Sequence, residues 1–563
     1  MLLRKFFLLA AVPALALPLL LFSQQPEKLD LEAIHKLKAA EFGTGGRGGG
    51  RFGGGGRSQA PVMNTMYNLT DRYGPRLTNS PQFRAAGDWA VSQLKEWGLA
   101  NVHLEPFATA GLRGGAIPSW EMKYYYGAMV EPTYMPIIGY PQAWTGSTNG
   151  VATGEAIIAQ NSTDEDMKKW HGKLQGKFVL IAPLTEGATS AALPLDFPLA
   201  PLAHRYSDSE LAGLVQEIIP GGPSGGRGGR GSPYAAYANM TPEERQAFQE
   251  KQANYWKDEG VLGTITASAR GESGTVFASN GGPRTGDPTR NIPAVAITAE
   301  NYNRIVRLVE HDVPVKLSFD IRNEFDMSKT EAFNVIAEIP GGSKPNELVM
   351  VGGHFDSWHM GTGATDNGAG AALAMEVARL LKTTGLKMDR TVRMALWGGE
   401  EQGLFGSQAY VKAHFADPAT MKPTPEHDAF AGYFNIDNGT GRIRGIYLQS
   451  NEQARPVFEA WFATLKDLTP GVVTARNTGG TDHQSFDAVG LPGFQFIQDE
   501  MDYDTRTHHS NMDVYDRIQE QDMRQMAVIE AVFVYNAATR ADKLPRKELP
   551  APQPTGGRGR GGL

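Results

Sequence analysis

Residues 347–379 read ELVMVGGHFDSWHMGTGATDNGAGAALAMEVAR. The apolar run that opens it has the length of a strand buried on both faces, and the Ala- and Leu-rich run that closes it has the composition of a helix. Between them lies a glycine-rich stretch holding His354, Asp356 and Asp366. Strand, loop and helix in that order form the unit of an α/β fold, whose chemistry collects beyond the carboxyl ends of the strands. The stretch therefore points both to the fold class and to the place where function should lie.

The same alternation continues outward. Strand-like TVRMALW, helix-like GLFGSQAYVKAHF, strand-like GYFNID and a late helix around DMRQMAVIEAVFVYNAA follow in turn. Apolar residues on both faces of these strands imply a mixed, mostly parallel sheet covered by helices on both sides. Upstream, SPQFRAAGDWAVSQLKEWGL offers Ser80 as N-cap, Pro81 at the first helical position, and Phe83, Ala86, Ala90 and Leu94 on one face. Between 131 and 325 the texture changes to short β-type runs such as GKFVLIAPL and IPAVAITAE, followed by a helical NYNRIVRLVE. This reads as a smaller β-rich domain inserted into the larger one.

A chain of 563 residues exceeds what one hydrophobic core usually spans, so two domains with extensions are expected. The net charge of −7 gives a phosphate backbone little to hold, and nucleic acid is not an expected partner. Arg4 and Lys5 precede a long apolar segment ending near Ser23, the layout of a secretory signal. Export to the periplasm or medium is expected, with no stable membrane association unless that segment stays uncleaved. With no cysteine, neither disulfides nor thiolate metal sites are available. Three Gly/Arg tracts, at 44–58, 221–231 and the C-terminus, carry too much backbone entropy to form a core. The expected organisation is a signal peptide at 1–23, a flexible segment at 24–64, the first part of the main domain at 65–130, the insertion at 131–325 with its loop at 221–231, the rest of the main domain at 326–542, and a tail at 543–563.

Four segments deliver charged groups to the strand ends: His354, Asp356 and Asp366; Glu400 and Glu401; Asp437; and His508, His509 and Asp513. Converging carboxylates raise one another's pKa unless a cation sits among them. Imidazole with carboxylate and no thiolate suits zinc, with manganese or cobalt as alternatives, and the count of groups suffices for two ions. Taken alone, Asp366 before NGAG would read as a helix cap. The glycine-rich run is not a phosphate loop, since it lacks that motif's Lys and Ser/Thr and Asp366 would repel phosphate.

The ordered set GGHFDSW, GATDNGAGAALAMEVAR, ALWGGEEQGLFGSQAYV, NIDNG, TDHQSFDAVGLPG and HHSNMD resembles the co-catalytic zinc exopeptidases of peptidase family 28, which include leucyl-type aminopeptidases and carboxypeptidase Q-like dipeptidases. The resemblance covers about 335–540 and implies two zinc ions per chain, short peptides as substrate, and a protease-associated domain as the insertion. By position it implies that His354 and Asp437 hold one ion, Glu401 and His509 the other, and that Asp366 bridges them. It implies further that Asp356 orients the ring of His354 and that Glu400, left without a metal, is the general base and acid. His508 is the alternative to its neighbour His509. Asp482 and His483 are candidates to line the substrate site or donate to the oxyanion, or to stabilise their loop; Trp358 and His359 are candidates to cover it.

Aminopeptidase or dipeptidase activity is the expectation, with carboxypeptidase Q-like specificity the alternative, for which Arg476 or Arg506 would meet a terminal carboxylate. A one-zinc cyclase branch of the same fold would differ in metal stoichiometry. A non-catalytic, receptor-like protein would show substitutions among the ligand positions, and none is visible. Side-chain preference and oligomeric state are not encoded legibly.

Overall fold

The computed structural model describes residues 27–43, 60–109, 116–181, 190–193, 203–215, 240–268, 270–277, 281–282, 284 and 290–552. The signal segment and the Gly/Arg tracts expected at 44–58, at 221–231 and near the C-terminus lie outside these residues.

The first sheet has eight strands in the spatial order Ala100–Ala108, Glu331–Ile339, Arg390–Trp397, Lys344–His354, Phe430–Asn435, Gly493–Gln498, Ile443–Tyr447 and Val472–Thr474. The four strands from Arg390–Trp397 to Gly493–Gln498 run parallel, and antiparallel pairs flank them. Phe430–Asn435 and Gly493–Gln498 are buried at every residue, as strands covered on both faces must be. One face packs on the helices Pro81–Glu96, Ala369–Thr383, Arg455–Ala463 and Glu520–Thr539. The other packs on Phe405–His414 and His483–Asp487. This is the mixed α/β architecture expected.

The helix Pro81–Glu96 begins as its sequence implies. Ser80 Oγ accepts from the amide of Phe83 at 3.1 Å, and Phe83, Ala86, Ala90 and Leu94 are all buried. The expectation of a flexible 24–64 segment fails over Leu31–Phe42, which is a helix capped by Asp30 and buried through Ala33, Ile34 and Leu37. It covers Glu520–Thr539, and that is why Asp522–Ala538 of the latter helix is buried all round. The described part of the tail is also tied down: Arg546 donates to the carbonyl of His427 at 2.8 Å, and Asn451 to that of Pro545 at 2.7 Å.

A second eight-stranded sheet is ordered Met135–Pro136, Ser119–Glu131, Lys316–Asp326, Ala152–Ile158, Lys177–Ile181, Gly263–Ala267, Ala294–Ile297 and Gly139–Pro141. It begins at Ser119 rather than near 131, because Ser119–Glu131 pairs along its length with Lys316–Asp326. The two sheets meet at an aromatic cluster. Trp120 and Trp144 pack near Trp358 and His359, and His359 Nε2–H donates to the Pro141 carbonyl at 2.7 Å.

Candidate metal centre

His354, Glu400, Glu401 and Asp437 reach the centre because a parallel strand ends beside each of them, and His509 because the loop after Gly493–Gln498 brings it there. His354 closes Lys344–His354, which pairs with Arg390–Trp397 on one side and Phe430–Asn435 on the other. Glu400 and Glu401 follow the first neighbour, and Asp437 follows the second. Asp366 sits where the chain turns into the helix Ala369–Thr383. Asn367 Nδ2 donates to the Ile436 carbonyl at 2.8 Å, and a Cβ on Gly370 would lie 2.3 Å from that same oxygen. Only glycine lets the helix start this close to the strand end that carries Asp437.

The expected ligands converge. His354 Nε2 lies 3.1 Å from Asp366 Oδ1, 3.5 Å from Asp437 Oδ2 and 3.9 Å from Glu400 Oε2. His509 Nε2 lies 3.2 Å from Asp366 Oδ2 and 2.9 Å from Glu401 Oε2. The two oxygens of Asp366 thus face two groups of donors. His508 is 3.7 Å from Asp366 Oδ2, and its ring stacks on Tyr503.

The donor chemistry fits a cation. His354 Nδ1–H donates to the Asp356 carbonyl at 3.0 Å, so a neutral ring turns the Nε2 lone pair toward three carboxylates that can only accept. Facing acceptors repel until a proton or a metal lies between them. Glu401 Oε1 is buried and accepts no hydrogen bond among the described residues. In the metal-free protein protons fill this role. Burial opposes a charged His354 ring, but Asp437 and Glu400 hold its pKa well above the ordinary value. His509 is likewise pushed up to about 10, burial being outweighed by Glu401 and Asp366. Burial raises Asp366, yet bonds from His354 and His509 keep it well below the usual carboxylate range. Burial with neighbouring charge pushes Glu401 up to about 7 and Glu400 well above its ordinary value.

Asp356 orients differently from the expectation. Its carboxylate is 3.8 Å from His354 Nδ1 and instead accepts from Thr78 Oγ1 at 2.8 Å and from the amides of Glu400 at 3.1 Å and Glu401 at 3.3 Å. The ring is held by the Asp356 backbone, and the side chain holds the turn that presents both glutamates. Asp482 is fully buried, its carboxyl pushed up to about 7 by burial and drawn the other way by His354. His483 turns its Nε2 toward the Thr478 carbonyl at 3.2 Å, and burial lowers its pKa to about 4. Asp513 accepts from Thr365 N at 2.5 Å and Thr365 Oγ1 at 2.9 Å, bracing the Asp366 loop. Arg476 donates to the Gly213 carbonyl at 2.7 Å.

Arg76 carries no sequence signal, yet it organises the loop. It is fully buried and donates to the carbonyls of Leu69, Phe355, Thr362 and Gly363 at 2.6–3.1 Å. Trp358 packs edge-on against His509, their ring centroids 5.9 Å apart, and so joins the second sheet's aromatic cluster to a candidate ligand.

Residues 334–534 match the model of Peptidase family M28. Over 498 residues, 87% of this chain and 88% of the relative, the chain is 26% identical to Carboxypeptidase Q of Homo sapiens. A shorter stretch of 84 residues, 15% of each chain, is 50% identical to an Aminopeptidase of Pseudomonas aeruginosa. Among solved structures, a Peptidase M28 precursor from Shewanella amazonensis covers 92% of this chain and 99% of its own, at 23% identity and a TM-score of 0.61, which shows a shared fold. Residues 334–534 thus match a peptidase family M28 domain, and the relatives that the chain resembles over most of its length are peptide hydrolases.

Proposed function

We propose that the chain is an exported zinc exopeptidase that removes N-terminal residues from short peptides. The observation that carries this reading is Asp366, whose two oxygens face His354 with Asp437 on one side and His509 with Glu401 on the other. His354, Asp437 and Asp366 would hold one zinc ion, and His509, Glu401 and Asp366 a second. Zinc bound there supplies Lewis acidity, polarising the scissile carbonyl and making water a competent nucleophile near neutral pH. Glu400 stands beside the first group, 3.9 Å from His354 Nε2, and is the base that takes the proton of the attacking water and returns it to the leaving amine. Asp356 fixes the backbone from which Glu400 projects. The second sheet is proposed as the protease-associated-like insertion. Among the described residues no helix is long and apolar enough to cross a membrane.

A second reading, carboxypeptidase or dipeptidase action, is favoured by the likeness to Carboxypeptidase Q across most of both chains. One experiment separates cleavage at the amino end from carboxypeptidase action. The purified chain and Glu400→Gln are stripped, reloaded with zinc and assayed on free and N-acetylated short peptides while metal per chain is counted. The expected result is two zinc ions in both proteins, cleavage of free peptides alone, and a loss of about 10²–10⁴-fold in kcat for the variant. Cleavage indifferent to acetylation would establish the carboxypeptidase reading. Absence of both zinc binding and cleavage would overturn either one.

A further inference from the structure

One cavity of ≈ 170 Å³ opens against Asp437, and its wall is built by Tyr447 and Gln498 of the first sheet, Glu500 and Asp504 of the loop that follows Gln498, and Tyr206 from the chain that connects strands of the second sheet. An engineered cavity of about 150 Å³ accepts benzene, so this one has room for a single substrate side chain.

The segment carrying Tyr206 is clamped in place. His204 and Met501 exchange two backbone hydrogen bonds at 2.8 Å, and the Tyr206 amide donates to Asp499 Oδ1 at 2.9 Å. Arg205 pairs with Asp499 at 3.2 Å and with Asp522 at 2.6 Å. These bonds hold the Tyr206 hydroxyl where it donates to Glu500 Oε1 at 3.2 Å.

The lining has one sign. Beside Asp437, which the zinc reading assigns to the metal, the lining acids are Glu500 and Asp504, and no lysine, arginine or histidine lines the cavity among the described residues; His204 Nδ1 lies 3.8 Å from Glu500 Oε2. Gln498, only 7% exposed, spends its amide N–H groups on the Gly439 carbonyl at 2.9 Å and on Met526 Sδ at 3.2 Å, so it forms the floor of the cavity. A cavity lined by carboxylates and phenols favours a cationic donor on an alkyl stem.

We propose that this cavity is the specificity subsite and takes a lysine- or arginine-type side chain of the substrate residue at the scissile bond. Glu500 faces the cation and Tyr206 holds Glu500 in position. The proposal rests on the exopeptidase reading above and names its substrate class.

The test uses the zinc-loaded full chain and measures kcat/KM for the p-nitroanilides of lysine, arginine and the uncharged lysine analogue norleucine, in wild type, Glu500→Gln and Tyr206→Phe. Wild type is expected to prefer lysine over norleucine by about tenfold or more. Glu500→Gln should erase roughly tenfold of that ratio through KM, and Tyr206→Phe about two- to threefold, with zinc content unchanged in both. Absence of a lysine preference in wild type overturns the proposal while leaving the exopeptidase reading intact. Equal losses for lysine and norleucine also overturn it, because they would mean that Glu500 serves the α-ammonium common to all three substrates. A chain active only from the carboxyl end is read with C-terminal lysine and norleucine dipeptides, to the same two outcomes. A wild type that binds zinc but cleaves none of these substrates fails the exopeptidase reading, and the subsite falls with it.

Discussion

The two sides of Asp366 are unlike. On one side His354 is 1% exposed and ends a strand in the middle of the sheet; on the other the His509 side chain is 27% exposed and comes from a loop. The same carboxylate therefore joins a half-site built into the core to a half-site built onto its rim. Removing one partner from a buried charged group costs several kcal/mol, whereas an accessible partner is replaced by water at little cost. The buried half should weigh heavily on folding and on metal retention together, and the half carried by the part-exposed His509 less on folding than on metal retention.

The sharpest way to break that contrast is a pair of alanine variants studied without metal. His354→Ala leaves Asp366, Asp437 and Glu400 facing one another with no imidazole between them. It is expected to destabilise the metal-free chain by about 3–5 kcal/mol. His509→Ala leaves the buried Glu401 and Asp366 without their imidazole, but from a part-exposed position that water can reach, and should cost less, about 1–3 kcal/mol. Urea unfolding of the two variants measures this, and zinc counts after reloading should fall to one or none for each. Equal destabilisation would show that the core and rim description is wrong.

Asp356→Asn sharpens the comparison with a smaller effect. The carboxylate faces none of the candidate metal-binding atoms but accepts from the Glu400 and Glu401 amides and from Thr78, so it ties the proposed base, Glu400, to the backbone of the candidate ligand Glu401. An amide keeps the shape and loses acceptor capacity, and a loss of roughly 10–100-fold in kcat/KM or zinc affinity is expected. If Asp356→Asn instead lowers affinity only for the ion beside His354, the expected orienting role for that ring regains its place over the backbone-holding role seen here.

What was legible in the chain divides along the same line. Candidate ligands stood out because each follows an apolar run, and a strand end is a position that periodicity locates. The helix Pro81–Glu96 was legible through Ser80, Pro81 and its apolar face. Arg76, Tyr206 and Tyr503 were not, since each acquires meaning only from distant partners: four backbone carbonyls, Glu500 and the ring of His508. The partner that Asp356 takes was misjudged for a related reason. Two residues of spacing bring both its carbonyl and its carboxylate near His354, and only the fold decides which one the ring meets. Leu31–Phe42 was hidden by the glycine tract after it, although Asp30 and the spacing of Ala33, Ile34 and Leu37 carried a helix signal of their own.

The smallest effect probes the core that backs the buried half-site. Helix Ala369–Thr383, which begins just after Asp366, packs on Leu31–Phe42, where the fully buried Glu41 meets Arg524 at 3.3 Å and Arg379 at 3.8 Å beside Glu376. Burial, then the neighbouring Glu376, pushes Glu41 up to about 8 from 4.5, against the pull of the two arginines. A carboxyl with a raised folded pKa binds its proton more tightly when folded. Its contribution is complete below about 4.5 and is lost as pH rises through about 8. Glu41→Gln keeps the neutral form at every pH, so the variant and the wild type should unfold alike near pH 5. By pH 9 the variant should be the more stable of the two, the gap opening as pH rises through about 8, as read from urea midpoints. If zinc affinity on the His354 side stays constant across that range while stability falls, the half-site is rigid through its strands alone. A parallel fall in both would extend the buried half-site to the helix that covers it.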